Sequence, residues 1–253
     1  YLKTLNTKNC RVILWSHHPH DSIYGNKDNF KELISLGEYQ YYSNKNISLK
    51  RLLIPNPFPK PIPKTELPRM KSNNPKNFVF IGALGPAKGL HLVLKNWPKI
   101  RKSFKNSNLR IIGGNLYNEG KKTSKFSHYF SRSYEKVIES ILDKMSKSDR
   151  DSVNFLGLIS ESEKDKVLKE SDIALLNPTG KSEAAPASPL ECYCYGIPVI
   201  AGGDFGAFDN MKDFSELDLK LNKLNEIINF LKNDDNYKLI KDRTYKIAAE
   251  NFK

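Results

Sequence analysis

Residues 153–178 read VNFLGLISESEKDKVLKESDIALLNP. Two apolar runs, VNFLG (153–157) and DIALLNP (172–178), enclose a charged stretch, residues 160–171, with a helical pattern. Runs of this kind, apolar at nearly every position, suit strands buried on both faces. The stretch therefore reads as strand, helix, strand, the unit from which parallel sheets are built.

The same alternation continues in both directions. Downstream, residues 187–195 form a short helix ended by Gly196, IPVIAGG (197–203) is a strand, and residues 223–232 and 235–250 are helical. Upstream, FVFIG (78–82) and LRIIGG (109–114) are strands. Between them a helix follows Lys88, with one apolar stripe through Leu90, Val93, Leu94, Trp97, Ile100 and Phe104. Pro98 lies inside it and is expected to kink it. Residues 115–130 are polar and contain glycine, as a loop does, and residues 132–147 read as one helix. The fold class is α/β: a doubly wound, Rossmann-like parallel sheet covered on both faces. In such sheets ligands bind at the carboxyl ends of the strands.

Ahead of residue 77 the pattern is shorter. RVILWS (11–16) and LLIP (52–55) are strand-like, and residues 28–36 read as a helix closed by Gly37. Prolines then stand at 55, 57, 59, 61, 63 and 68, a density that excludes helix and central strand. The expected organisation is a partial N-terminal domain over 1–56, a stiff Pro-rich linker over 57–76 and a C-terminal domain over 77–253. No internal repeat is present.

The chain has 253 residues, 39% of them hydrophobic, enough for a sizeable core. It begins with Tyr1, and the expectation is that the start of the N-terminal domain is missing. No apolar run approaches the ~18–20 residues of a membrane span, and no signal-peptide pattern opens the chain. Three cysteines (Cys10, Cys192 and Cys194) are too few and too odd in number for a disulfide framework, so a reducing cytoplasm is the simplest location. The net charge is +13, with 12 Lys/Arg against 5 Asp/Glu in residues 1–75. No nucleic-acid reader motif or clustered basic-aromatic face accompanies this charge, so nucleic acid is not an expected partner. Peripheral contact of the basic N-terminal part with an anionic membrane is compatible with it.

Two features carry chemistry. The first strand of the C-terminal part runs into Gly82-Ala83-Leu84-Gly85-Pro86-Ala87-Lys88-Gly89. A glycine-containing turn into a helix start offers backbone N–H groups and the positive end of a helix dipole, and Lys88 adds a full charge. It is neither a Walker A loop nor a G-x-G-x-x-G fingerprint, and an ordinary strand-to-helix turn would look similar. The second feature is Glu183-Ala-Ala-Pro-Ala-Ser-Pro-Leu-Glu191. Both carboxylates follow a strand end, and carboxylates suit sugar and ribose hydroxyls because each accepts several hydrogen bonds.

Together these features resemble the donor domain of the family-4 glycosyltransferases, which have the GT-B fold. The family pattern is a strand ending in Gly-Arg-Leu with Lys-Gly soon after, a later strand with Gly, and then Glu-x7-Glu before a Gly-x-Pro-Val segment. Here stand Gly82, Leu84, Lys88-Gly89, Gly157, Glu183-x7-Glu191 and Gly196-Ile197-Pro198-Val199, in the same order. Ile54-Pro55-Asn56 resembles the closing strand of the family's N-terminal domain.

The resemblance implies a retaining glycosyltransferase that moves a sugar from a nucleotide-diphosphate sugar to a saccharide or lipid-linked acceptor, with no metal or other cofactor. Gly82, Ala83, Leu84 and Gly85 would form the donor turn, and Lys88 would bind the diphosphate. Glu183 would contact the transferred sugar and Glu191 the nucleotide ribose. Backbone near Leu158 and Ile159 would meet the base, and Ala187 and Ser188 would cap the diphosphate. A family histidine faces the sugar from the N-terminal domain, a part open to His17 or His18. The same two could belong to an ordinary loop, and a metal site would need a third ligand that is not evident nearby.

The chain departs from the family twice. Ala83 replaces the family's Arg, removing one cationic phosphate contact worth about 1.5–3 kcal/mol. Ala184-Ala185-Pro186 replaces its Gly-x-Gly, and Pro186 donates no N–H. These departures leave a second reading open, a non-catalytic nucleotide-sugar-binding module with a degenerate site. Among the remaining features, Gly202-Gly203-Asp204-Phe205-Gly206 marks either close backbone approach to the donor or a plain turn. His91 reads as packing or surface, and His128 as part of a lid or a loop.

Overall fold

The parallel alternation expected from residues 153–178 is present in a computed structural model, which describes residues 13–16, 30–57, 59–67, 77–114, 132–179, 186–202 and 223–251. Five strands form the larger sheet: β4 (Asn77–Ile81), β5 (Asn108–Ile112), β6 (Val153–Gly157), β7 (Ile173–Leu176) and β8 (Val199–Ala201). Their order is β6-β5-β4-β7-β8, and every pair is parallel. The chain thus steps outward from β4 to β6, returns to the other side of β4 and continues to β8. Right-handed crossovers then require helices on both faces. α2 (Leu90–Ser103) and α3 (Arg132–Asp143) pack together, as do α6 (Ala187–Cys194) and α8 (Asp234–Asn251). The crossover from β6 to β7 carries α5 (Glu161–Lys169), and α7 (Leu224–Leu231) packs on α8.

Strands that are apolar at every position lie where the sheet is covered twice. Phe78, Val79 and Phe80 of β4 and all four residues of β7 are buried. The stripe on α2 closes over them: Trp97 meets Phe78 edge-on at 5.4 Å and donates its indole N–H to Ser152 Oγ at 2.8 Å. That partner is what makes a buried Trp tolerable here. α2 runs unbroken through Pro98. α5 begins with a reciprocal capping box, Ser160 accepting from the Glu163 N–H and Glu163 accepting from the Ser160 N–H.

The expected helix over 132–147 is two helices. α3 stops at Asp143, and α4 (Lys147–Asp151) restarts behind Ser146, whose side chain accepts from the Asp149 N–H. An N-cap serine inside a helical pattern is a stop and a start at once.

A second sheet holds β1 (Ile13–Ser16), β2 (Glu32–Ser35) and β3 (Lys50–Leu53) in the parallel order β1-β2-β3. Here the reading of residues 28–36 as a helix is overturned. Leu33 is fully buried in a strand paired on both edges, a tertiary pairing that a short apolar run does not reveal. Gly37 caps the start of α1 (Glu38–Ser43) instead of ending a helix. The Gln40 side chain accepts from the Leu36 N–H at 2.7 Å and holds that entry.

The prolines of 59–67 run as an extended strap, with one 3₁₀ turn at Lys64–Glu66, along the C-terminal part. The Ile62 N–H donates to the Cys194 carbonyl, Tyr245 Oη donates to the Ile62 carbonyl at 2.8 Å, and Lys169 pairs with Glu66 at 3.0 Å. Cys192 and Cys194 are free thiols buried in α6, and burial pushes Cys194 up to about 12, which makes it unreactive. No helix of the described residues is long and apolar enough to cross a membrane.

Candidate functional site

The strand order reverses beside β4: the connection leaving β4 runs to β5 on one side and the connection leaving β7 runs to β8 on the other, and in sheets of this kind ligands bind at the carboxyl ends of the strands at such a point. Each of these connections starts with a locally unusual turn. After β4 the chain passes Gly82 to Gly89, including a 3₁₀ turn at Pro86–Lys88. After β7 it passes Asn177-Pro178-Thr179, with Asn177 at φ 37°. Asn is among the few residues that adopt this left-handed region at modest cost.

The two turns interlock. Thr179 Oγ1 donates to the Ala87 carbonyl and lies 3.0 Å from Asn177 Oδ1. Gly89 has φ 76°, and a Cβ there would stand 2.8 Å from side-chain carbons of Pro178 and Thr179. Gly202, just past β8, approaches the Pro178 backbone so closely that any Cβ would collide with it. Gly202 is thus a glycine because the Pro178 backbone lies against it, a reason within the fold that is separate from any approach to a donor. Its continuation at 203–206 lies outside the described residues.

The turn after β4 uses up most of its own N–H groups. Gly82 donates to Ile112, Leu84 to Gly114, Gly85 to Ala83, Lys88 to Gly85 and Gly89 to Pro86, all backbone carbonyls. Pro86 has no N–H, so only Ala83 and Ala87 keep one without an acceptor among the described residues. The expectation of an open row of donors is corrected accordingly, because most of these N–H groups already donate to backbone carbonyls. Lys88 is half-buried at this rim, and burial pushes its ammonium below the ordinary lysine value. An anion brought beside it would reverse that shift.

α6 rises at the same end of the sheet. Pro186 is its N-cap and Pro189 its third residue, so Ala187 (exposed) and Ser188 (half-buried) supply the N–H groups of its first turn. The cap therefore loses a second donor, at Pro189, besides the one already expected at Pro186. Glu191 follows one turn later and is partly exposed. Its Oε1 accepts from Lys164 Nζ of α5 at 3.1 Å, an ion pair that the motif series does not signal. Lys164 also reaches Glu161 at 2.9 Å. Burial alone would lower the Lys164 ammonium, but the two carboxylates outweigh it and raise it.

At the end of β6, Leu158 is 80% exposed, a large apolar side chain left open beside Gly114, while Ile159 packs on the core. Lys88, Leu158 and the α6 residues Ala187, Ser188 and Glu191 thus lie on three connections that leave the carboxyl ends of β4, β6 and β7. Glu183, His17, His18 and His128 lie outside the described residues. His91 is a packing residue: its ring meets Tyr134 edge-on at 5.7 Å, with Nδ1 3.0 Å from the hydroxyl.

Asn177, Thr179 and Lys164 went unread in the sequence. Asn177-Pro178-Thr179 carried a signal, an Asn-Pro step directly after a strand. Lys164 carried none, since it is one of several lysines in a charged helix.

Comparison with solved structures finds the same fold. S. aureus TarM, as a variant in complex with Fondaparinux, alpha-GlcNAc-glycerol and UDP, aligns with a TM-score of 0.69 and 16% identity, over 100% of this chain and 50% of that one. The pneumococcal O-GlcNAc transferase GtfA, in complex with UDP and GlcNAc, aligns with a TM-score of 0.65 and 12% identity, over 96% and 50%. Sucrose-phosphate synthase of Thermosynechococcus elongatus aligns with 0.64 and 15%, over 89% and 56%. The chain spans about half the length of these proteins, and the architecture they share is of the GT-B type. No curated protein matches by sequence. The family model described as glycosyl transferases group 1 matches residues 65–236, from the strap to the start of α8. With well over half of its length matched, the chain belongs to the glycosyl transferases group 1 family.

Proposed function

We propose that this chain is the donor-binding part of a retaining, metal-independent glycosyltransferase of the family-4 type, moving a sugar from a nucleotide-diphosphate sugar to a saccharide or lipid-linked acceptor. What supports the reading is that Lys88, in the turn that leaves β4, and Glu191, in the helix that follows β7, both lie on connections leaving the carboxyl ends of adjacent strands, where ligands of such sheets bind.

The chemistry is departure of a nucleoside diphosphate, in which negative charge builds on the leaving oxygen. Lys88 and the two N–H groups at Ala187 and Ser188 would meet that charge, in a setting where rigid donors need not reorganise. Glu191 would accept from the ribose hydroxyls, and Glu183 from those of the sugar. His17 or His18 would face the sugar from the N-terminal side. Leu158 and Ile159 would border the base.

A second reading is favoured by specific residues: a binding module with a degenerate site. Ala83 stands where the family has Arg, and Pro186 and Pro189 strip two donors from the α6 cap.

The experiment is isothermal titration of the chain with UDP, GDP, ADP and their sugar conjugates in EDTA, beside Glu191→Ala and Lys88→Ala. One nucleotide class should bind saturably, and Lys88→Ala should weaken it by about 10- to 100-fold, as loss of a charge-assisted contact does. Binding that both variants retain would refute the site. Sugar transfer by the whole protein, lost in Glu183→Ala, separates the enzyme from the module, which would bind without turnover.

A further inference from the structure

The reading of Glu191 as the ribose-binding residue leaves its ion pair unexplained, and the following rests on that reading. Lys164 sits in the first half of α5, which follows β6, and Glu191 in the middle of α6, which follows β7. Their side chains are 19% and 29% exposed, whereas Glu161, the second partner of Lys164, is 88% exposed. The pair is therefore sheltered at the rim of the candidate site, with one side open to a solvated carboxylate. A second contact joins the same two elements, where Tyr195 Oη at the C-cap of α6 donates to Oδ1 of Asp165, the neighbour of Lys164, at 2.8 Å. That contact already holds α5 against α6, so the Lys164 contact is not needed merely to join them.

The ammonium takes one oxygen of Glu191. Oε1 accepts from Nζ at 3.1 Å, and among the described residues Oε2 has no partner. A carboxylate has about four acceptor positions, so one oxygen held by lysine leaves the other fully available to a vicinal diol. Two donors from Nζ to Glu161 and Glu191 also fix the Glu191 rotamer before any ligand arrives. A glutamate ordered in advance does not pay its rotamer entropy again on binding.

We propose that Lys164 is a positioning residue of the donor site, holding Glu191 by Oε1 so that Oε2 receives the ribose hydroxyls of the nucleotide. Lys164 itself touches neither the sugar nor the diphosphate in this arrangement. Its effect is specific to nucleotides that carry a ribose diol.

The test is isothermal titration of the 253-residue chain with UDP, GDP and ADP, then with the 2′,3′-dideoxy counterpart of whichever binds tightest. The variants are Lys164→Met, Lys164→Arg and Glu191→Gln, with Lys164→Gln, which keeps the stem and an N–H donor, as the replacement should Lys164→Met fail to fold. In Lys164→Met the ribonucleotide should weaken about tenfold while the dideoxy nucleotide stays within about twofold, and Lys164→Arg should recover most of the loss. Equal weakening of both nucleotides, or of neither, would overturn the role of Lys164 even where Glu191→Gln still erases the preference for the ribose. Persistence of that preference in Glu191→Gln, or failure of the unmodified chain to bind any of the three, would instead remove the ribose reading and this inference with it.

Discussion

Replacing Gly202 by alanine adds one methyl group at the point where the β8 exit meets the β7 exit. That Cβ would lie 2.9 Å from Pro178 Cα and closer still to the Pro178 carbonyl carbon and oxygen. All three are backbone atoms, so no side chain can swing away, and the 177–179 turn must move as a piece. The bond from the Gly202 N–H to the Asn177 carbonyl, 3.2 Å, would be strained in the same step. Overpacking of this kind costs about 1–3 kcal/mol, which for a chain of this size lowers Tm by about 2–4 °C per kcal/mol.

The displaced turn carries Thr179, whose hydroxyl holds the Ala87 carbonyl beside Lys88. Nucleotide affinity should therefore fall further than stability does, since a shift of about 1 Å in a binding element can cost on the order of a hundredfold. Urea denaturation and nucleotide titration of Gly202→Ala would be run beside Gly85→Ala. A Cβ at Gly85 meets nothing within 4 Å, and its φ of −121° is ordinary, so its stability should be unchanged. Gly202→Ala with an unaltered denaturation midpoint and unaltered nucleotide affinity would refute the coupling of the two turns.

Three further outcomes are expected. Trp97→Ala should cost about 3–5 kcal/mol in urea denaturation, because it empties the fully buried centre of the α2 interface and orphans the Ser152 contact. Alkali should unfold the chain from about pH 10, where tyrosine in the unfolded chain ionises. Burial raises Tyr134 to about 12 and raises Tyr193 and Tyr237 as well, so their contribution is complete below pH 10 and is lost as pH climbs toward the folded values; a circular-dichroism titration should show Tyr134→Phe losing part of that dependence. The basic N-terminal part should draw the chain to liposomes containing anionic lipid, and co-sedimentation indifferent to lipid charge would remove the membrane contact.

Much of the larger sheet was legible because its signals are local. Apolar runs such as FVFIG and DIALLNP report burial on both faces, and Ser160 with Gly196 bounds the helices between them. The misreadings have two causes. Glu32–Ser35, within the stretch read as a helix, form a strand because β1 and β3 pair with both of its edges, and that pairing leaves no periodic trace in four residues. Ser146 split a helix because a cap acts through one side chain and one N–H, against an otherwise continuous pattern.

By itself, then, the sequence determined the α/β class, the strand succession from Phe78 to Ile200 and the family resemblance at Lys88 and Glu191, all of which depend on residues near one another in the chain. Only the tertiary structure decided which ends converge. The order β6-β5-β4-β7-β8 places the β4 turn against Asn177-Pro178-Thr179, nearly a hundred residues away, and sets Lys164 of one crossover against Glu191 of the next. Such contacts follow from how strands are ordered in the sheet, and that order is a property of long-range pairing that no local window of residues contains.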